Sequence, residues 1–294
     1  MAKERKIFLI VSLLILILFI LIPSVGSLEG MLQEPNITPD EFLAQYPSYN
    51  ITLFGKEMIA TQLSSTILVF LLGVMGILLG IYFITKKEKS SVTWGISMIF
   101  WGVAAILAGI SYQWLGYELK ARGRDYVLFT SWFEIFYMLL QCISTSFMLY
   151  STGLITLETE KGRQNMFFYS LAISVIYPLL VLIGVLVKNT FMISYTGFLV
   201  FVGYNYLVMF ILNVKHYKKH KDKLNKNMII LWISFLIVNV CYFIHLYCSN
   251  AFIVYQDTGI WFTENDTLHV LLIAWFIEMF FLLKNKMIDK QINN

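Results

Sequence analysis

"STILVFLLGVMGILLGIYFI", residues 65–84, is the stretch that decides the fold class of this 294-residue chain. It contains no charged side chain, and a helix of about 20 apolar residues crosses the hydrocarbon core of a bilayer. Lipid offers no hydrogen-bond partners, so the backbone of such a stretch must bond within itself as a helix. The stretch therefore predicts a transmembrane helix.

Six further apolar blocks of similar length follow the same pattern. Hydrophobic residues make up 58% of the chain and charged residues only 14%, whereas soluble chains carry about 25% charged residues. We predict an all-α, polytopic membrane helix bundle formed by residues 58–286. Its seven core transmembrane helices are expected near residues 59–84, 92–112, 127–150, 166–187, 191–214, 228–248 and 263–283.

A shorter apolar block, Ile7–Ile22, follows the basic start MAKERK and ends at Pro23. Ser24 and Gly26 supply small residues directly after it, a pattern that fits a signal peptide cleaved near Gly26. With its flank, the block is also just long enough to span a bilayer as an uncleaved anchor helix. Residues 1–27 are therefore predicted to be a signal peptide or an anchor helix, and both alternatives stay open.

Residues 28–57 form a polar, acidic segment between this block and the first core span. The segment contains three prolines and two glycosylation-type sequons, at Asn36 and Asn50. Sequons of this kind are modified on surface loops of secreted or extracytoplasmic chains. We expect an extracytoplasmic segment with one short helix near Asp40–Tyr46.

The basic residues are divided unevenly between the two sides of this topology. Seventeen of the 22 lysine and arginine residues fall in the loops of one side and five in the loops of the other. Because positively charged loops stay in the cytoplasm, both ends of the full chain are predicted to be cytoplasmic, including a tail of residues 287–294. The expected location is the cell membrane. The net charge is +4, and most of the basic residues lie along one membrane face. We therefore predict membrane lipid as a partner and no nucleic acid.

Small residues mark one face of the first core span. Gly76 and Gly80 have the small-xxx-small spacing that lets two helix backbones approach closely in lipid. We expect a packing seam between the first two core spans. Its members are Gly73, Gly76 and Gly80 on one helix and Gly102, Ala105 and Gly109 on the next.

Polar side chains recur on one face of the third core span. Glu134, Tyr137 and Gln141 follow a three-four spacing, which places them on the same side of a helix. Asn205 lies in the middle of the fifth span. Lipid disfavours such groups, so we expect them to turn toward the interior of the bundle.

The last span, within "FTENDTLHVLLIAWFIEMFFLLKNK" (residues 262–286), carries ionisable residues at two depths. Asp266 and His269 are three residues apart and share a face near the outer end. Glu278 comes nine residues after His269, which places it on roughly the opposite face of the helix. We therefore treat Glu278 as a separate inner-half carboxylate.

His245 lies about one turn from the outer end of the preceding span, at a depth similar to that of His269. Ionisable residues inside a membrane are costly and are therefore candidates for function. We expect an outer-half polar pocket that binds a small molecule or lipid. Its predicted residues are Glu134, Tyr137, Gln141, Asn205, His245, Asp266 and His269.

Metal and catalytic chemistry have weaker support. Two histidines and a carboxylate are suitable zinc ligands, but in this pocket they come singly from three helices, with no HxxxH or HExxH pair. We predict no metal or other cofactor and keep zinc as an alternative. The chain has no G-x-S-x-G motif, P-loop or glycine-rich dinucleotide turn, and its three cysteines lie in apolar blocks. No catalytic residue is predicted, and the sequence favours a protein that is not an enzyme.

The loop between the fifth and sixth spans is rich in lysine, with six between Lys215 and Lys226. The positive-inside rule and attraction to anionic lipid explain this composition. The alternative is a docking surface for an acidic cytoplasmic partner. His216 and His220 are four residues apart, but the lysines around them argue against a cation site.

We therefore expect a receptor-like, sensory seven-helix module. Two alternatives stay open, a transporter or proton-coupled carrier that uses Glu134 and Glu278, and an intramembrane metal-dependent hydrolase. The last span has no mid-helix lysine for a retinal Schiff base. It also lacks the paired histidines of zinc-dependent seven-helix hydrolases, so we assign no family from these residues.

Overall fold

The computed structural model describes residues 2–22 and 27–291, which form an almost entirely helical protein with one small hairpin. This confirms the predicted all-α fold. The cleavage position predicted near Gly26 lies outside the described residues. The helices are α1 (Ala2–Leu21), α2 (Pro39–Ala44), α3 (Leu63–Thr85), α4 (Lys89–Ala108), α5 (Gly116–Lys120), α6 (Trp132–Thr156), α7 (Glu160–Leu186), α8 (Tyr195–His220), α9 (Lys223–Cys248), α10 (Ala251–Thr258) and α11 (Glu264–Leu283).

Seven of these helices are long and apolar enough to cross a membrane, which supports the predicted multi-pass membrane protein. They are α3, α4 with the π-helical turn Gly109–Trp114, α6, α7, α8, α9 and α11. We call the end of the bundle that carries Lys215–Lys226 the lysine-rich end, and the opposite end the cap end. α7, α8 and α9 extend several residues beyond their predicted limits at the lysine-rich end, because each helix continues past its apolar block into polar sequence, and α6 extends there to Thr156.

α6 is the central helix of the bundle. It contacts α4, α7 and α8, and every residue from Met138 to Thr156 is buried. Its serines and threonines bond to backbone carbonyls rather than to solvent. The Ser144 hydroxyl donates to the Ser97 carbonyl at 2.8 Å, and the Ser97 hydroxyl donates to the Ser144 carbonyl at 2.7 Å. These reciprocal bonds join α6 to α4.

The predicted glycine seam between α3 and α4 is confirmed. A Cβ placed on Gly102 would lie 2.4 Å from the carbonyl oxygen of Gly73, and one on Gly80 would lie 2.6 Å from that of Gly95. Real Cβ atoms do not approach oxygen so closely, so only glycine allows this spacing of the two backbones. Gly95 also belongs to the seam, although it was not predicted.

α1 packs against α6 and α7. The Phe8 ring is fully buried and stacks on Phe147 of α6, with ring centroids 4.1 Å apart. The Tyr150 hydroxyl donates to the Glu4 carboxylate at 3.0 Å. In the described part of the chain, α1 is therefore an integral layer of the bundle, and its residues take part in side-chain packing.

The polar segment before α3 folds as a small cap. The short helix expected near Asp40–Tyr46 is present as α2, which begins with a capping box between Thr38 and Glu41. An antiparallel hairpin of β1 (Ser48–Leu53) and β2 (Lys56–Thr61) follows. It was not predicted. Phe54 and Gly55 both have positive φ, as a type I′ hairpin turn requires, but a Phe-Gly pair is a weak signal for such a turn.

Candidate functional site

A cavity of about 500 Å³ lies inside the bundle, bounded by α3, α4, α6, α8, α9 and α11. Its walls are mainly aliphatic and aromatic, and no Lys, Arg, Asp or Glu is among the residues that line it. The lining residues include Trp101 of α4, Tyr137 and Gln141 of α6, Gly203, Tyr206 and Leu207 of α8, Trp232, Ile233, Leu236 and Asn239 of α9, and His269 of α11.

Three side chains at this cavity have a buried polar atom that makes no hydrogen bond with any described residue. These atoms are Gln141 Oε1, Trp232 Nε1 and His269 Nδ1. Gln141 Oε1 is an acceptor and Trp232 Nε1 is a donor, while His269 Nδ1 is either according to its tautomer. A buried polar atom without a partner costs about 1–3 kcal/mol. Each of these atoms has almost no accessible surface, so a guest molecule would reach them through a small rotation of their side chains.

Two other polar groups at the cavity have protein partners. The Asn239 amide donates to the Phe235 carbonyl at 2.8 Å within α9. The Tyr206 hydroxyl lies 3.4 Å from the Thr145 hydroxyl. Tyr206, Trp232 and Asn239 were not among the predicted site residues, because one sequence gives no means of separating residues that face a cavity from those that face lipid or another helix.

The cavity reaches the surface of the bundle between α8 and α9. Leu207 and Leu236 line it and are also 52% and 63% exposed on the surface that would face lipid. Gly203 lies on the same wall, and a Cβ added there would meet no atom within 4 Å. An apolar molecule in the bilayer would therefore have a lateral route into the cavity.

Glu134 lies at the cap end, where its carboxylate forms an ion pair and hydrogen bonds with neighbouring side chains. Lys120 forms an ion pair with it at 2.9 Å, and the Ser111 and Thr130 hydroxyls donate to it at 2.9 and 3.0 Å. The backbone N–H of Glu134 donates to Ser131, the N-cap of α6. Glu134 does not line the cavity.

Asp266 is also satisfied within the protein. One carboxylate oxygen accepts a hydrogen bond from Ser65 of α3 at 2.7 Å. The other accepts from the Thr263 backbone N–H at 2.7 Å and from its hydroxyl at 3.0 Å, which completes the capping box of α11. Asp266 is fully buried, yet it does not line the cavity.

Three other predicted residues lie apart from the cavity lining. His245 is half-buried, and its Nδ1 lies 2.7 Å from the Thr267 hydroxyl. Asn205 accepts a hydrogen bond of 3.4 Å from Tyr169 of α7. Glu278 is half-buried, and no hydrogen bond or ion pair joins its carboxylate to the described residues. Of the predicted set, Tyr137, Gln141 and His269 line the cavity together.

A second cavity, of about 450 Å³, lies at the cap end. It is more polar than the first, and its lining includes Tyr46, Tyr112, Lys120 and Glu264. Burial raises the pKa of the Tyr46 phenol, and the Glu264 carboxylate adds to the rise. Tyr112 packs edge-to-face against Tyr137, with centroids 6.2 Å apart, so an aromatic pair separates the two cavities.

One group of side chains in the described ranges has the chemistry and spacing of a metal site. It consists of Glu158, His216 and His220 at the lysine-rich end, and their ligand atoms lie within 4.8 Å of one another. None of the three lines the membrane cavity. This cluster is therefore separate from the candidate ligand pocket.

Comparison of the chain with protein-family models, with curated proteins and with solved structures gives no match. The class of protein is that defined by its fold, a multi-pass membrane helix bundle. The apolar cavity that opens between α8 and α9 lies within this bundle.

Proposed function

We propose that this protein is a receptor-like seven-helix module that binds a lipid or another elongated, largely apolar molecule in its membrane cavity. The apolar part of the ligand enters between α8 and α9. The polar end reaches Gln141, Trp232 and His269. A volume of about 500 Å³ is within the usual range of small-molecule pockets, about 300–1,000 Å³.

The observation that carries this proposal is the set of three unsatisfied polar atoms around an apolar space. A ligand hydroxyl group, or an amide group with an N–H, can offer these atoms both a donor and an acceptor. The lining has no ionic side chain, so an ionised carboxylate or phosphate would lose its hydration without a compensating charge. We therefore propose a neutral polar group at one end of an apolar chain.

The arrangement of α8 and α9 suggests how binding reaches the opposite face. Both helices line the cavity, and they meet at the short loop of Lys221 and Asp222. The predicted lysine-rich loop Lys215–Lys226 therefore consists of the end of α8, this short loop and the start of α9. A ligand that changes the separation of α8 and α9 also moves this loop. We propose that the loop is cytoplasmic and that its lysines dock on an acidic partner or on anionic lipid.

No specific observation supports the two alternative functions, a carrier and a metal-dependent hydrolase. A carrier that relays protons through Glu134 needs a carboxylate that can lose its partners, whereas three side chains hold this one. A hydrolytic metal centre in the cavity needs several ligands, whereas the lining supplies a single histidine and no carboxylate. We therefore favour ligand binding over transport or hydrolysis.

The test is binding of a brominated long-chain alcohol to the full chain in lipid nanodiscs. Bromine quenches nearby tryptophan fluorescence, and Trp101 and Trp232 line the cavity. We expect saturable quenching, and we expect the double change Gln141→Leu and His269→Leu to weaken binding at least about tenfold, since each lost hydrogen bond costs about 1 kcal/mol.

The matched control is His245→Leu, because His245 bonds to Thr267 and does not line the cavity. This variant should bind the alcohol as the unchanged protein does. Quenching that never saturates, or that is the same in the double variant, would contradict the proposal.

A further inference from the structure

Glu158, His216 and His220 converge at the lysine-rich end although they come from different parts of the chain. Glu158 lies in the short link between α6 and α7, and the two histidines lie on successive turns at the end of α8. The imidazole rings of His216 and His220 have centroids 4.4 Å apart. His220 Nε2 contacts Glu158 Oε1 directly. Two imidazoles and a carboxylate thus face one point.

His216 is the least satisfied member of the cluster. Its side chain is only 5% exposed, and neither ring nitrogen makes a hydrogen bond within the described residues. Nδ1 lies 3.4 Å from Oδ2 of Asp222, the N-cap residue of α9. A buried imidazole in this state has lost its water without gaining full hydrogen bonding, a cost that a bound cation would offset.

We propose that Glu158, His216 and His220 bind one divalent transition-metal ion of the zinc type, with Asp222 within reach as a fourth ligand. Imidazole nitrogen and carboxylate oxygen are ordinary ligands of Zn²⁺, and four-coordinate sites of this composition are common. Histidines four residues apart on a helix present their rings on one side, as this geometry requires. The proposal is independent of the cavity ligand.

Two neighbouring lysines contact the Glu158 carboxylate and would affect metal binding. Lys219 Nζ lies 2.7 Å from Glu158 Oε2, on the side of the carboxylate away from His220, and its own side chain is largely exposed. Its hydrogen bond lowers the pKa of the Glu158 carboxyl, so this ligand is ionised at neutral pH. Lys290 Nζ lies 3.7 Å from Oε1, where it competes with a cation. The metal must displace the ammonium of Lys290.

Such an ion would join three segments of the chain at one point. They are the α6–α7 link, the end of α8 and the start of α9. The C-terminal tail crosses beside them, where the Lys290 N–H donates to the Leu154 carbonyl at 3.1 Å. Occupancy would therefore tie α8 to the central helix at the end opposite the cap.

The test uses the full chain in detergent, purified with a tag that contains no histidine and titrated with Co²⁺ as a spectroscopic substitute for Zn²⁺. We expect the visible absorption of four-coordinate Co²⁺ at one ion per chain, displaced by Zn²⁺ and not by Mg²⁺. Desalted protein loaded with Zn²⁺ should retain one ion by elemental analysis. Absence of retained metal in the unchanged protein would overturn the proposal.

Variants separate this site from adventitious binding. The chain has four histidines, and the double change His216→Ala and His220→Ala should abolish retention, whereas His245→Ala should not affect it. Glu158→Gln should weaken affinity by about 10–100-fold, as loss of a ligand or its support does. Lys290→Met should tighten binding on the order of tenfold, because it removes a competing charge. Equal retention in the double variant, or weaker binding in Lys290→Met, would contradict the assignment.

Discussion

The carboxylate of Asp266 on α11 accepts a 2.7 Å hydrogen bond from the hydroxyl of Ser65 on α3, and both side chains are fully buried. This bond joins two helices that are far apart in the sequence. The second carboxylate oxygen caps the first turn of α11. Asp266 therefore stabilises the position and the start of α11, one of the walls of the cavity.

Loss of this bond should destabilise the bundle. We predict that Ser65→Ala lowers the free energy of unfolding by about 1–3 kcal/mol, because a buried carboxylate loses a hydrogen bond. Asp266→Ala should cost more, because it removes both the bond to Ser65 and the cap at Thr263. Adding Ser65→Ala to Asp266→Ala should cost little more, since the bond between the two side chains is already lost. Thermal unfolding in one detergent measures this, and additive losses would show that the bond contributes little.

The Lys120–Glu134 ion pair should be sensitive to the loss of one partner. The two side chains are only 12% and 3% exposed, and an unpaired buried charge costs about 3–5 kcal/mol. We predict that Lys120→Met destabilises strongly, and that adding Glu134→Gln recovers much of the loss. If the double variant were less stable than Lys120→Met, the ion pair would not be the source of the effect. Unfolding midpoints of the three variants decide between these outcomes.

The glycine seam predicts a contrast between two glycine-to-alanine changes. Gly102→Ala places a Cβ 2.4 Å from the Gly73 carbonyl oxygen, so α3 and α4 must separate. We expect a loss of about 1–3 kcal/mol, typical of overpacking. Gly203→Ala is the matched control, because no atom lies within 4 Å of the added Cβ. Alanine is also the better helix former, so this variant should be as stable as the unchanged protein or slightly more stable, and equal destabilisation would contradict the seam.

Acid should weaken the contacts of Glu158. Its carboxyl pKa lies below the ordinary value of 4.5, chiefly because Lys219 donates a hydrogen bond to it. A lowered folded pKa means that the stabilisation is complete above 4.5 and is lost as pH falls through the lower folded value. We predict that Glu158→Gln reduces the unfolding temperature of the metal-free protein at pH 7 and that the difference vanishes in acid. Glu160→Gln, with the same change of charge two residues away, is the control. A difference that persists at low pH would exclude this origin.

The seven spans were predictable because lipid imposes one rule on every stretch of backbone that crosses it. The polar face of α6 was predictable in part for the same reason, since Tyr137 and Gln141 line the cavity. The partners of the charged residues were not predictable from the sequence. Glu134 is held by Lys120, which lies beyond a π-helical turn that the pattern of apolar residues does not reveal.

The cluster at the lysine-rich end shows the same limit. The spacing of His216 and His220 is visible in the sequence, and so is the excess of lysine around them. The sequence does not show that Glu158 lies beside the two histidines, because this depends on how the α6–α7 link folds against the end of α8. Lys219 contacts the Glu158 carboxylate at Oε2, on the side away from His220, while its side chain is 66% exposed. The sequence therefore does not show how close these three side chains come to one another.

The most direct test of the proposed ligand cavity is binding of the brominated alcohol to Gly203→Phe, compared with Val200→Phe. Both changes lie on α8, but Gly203 lines the cavity with open space beside it, whereas Val200 is 69% exposed on the surface that would face lipid. A side chain added at position 203 starts in open space at the opening of the cavity. We predict that Gly203→Phe eliminates saturable quenching while Val200→Phe keeps it unchanged. Equal quenching in the two variants would contradict the existence of a ligand site in this cavity.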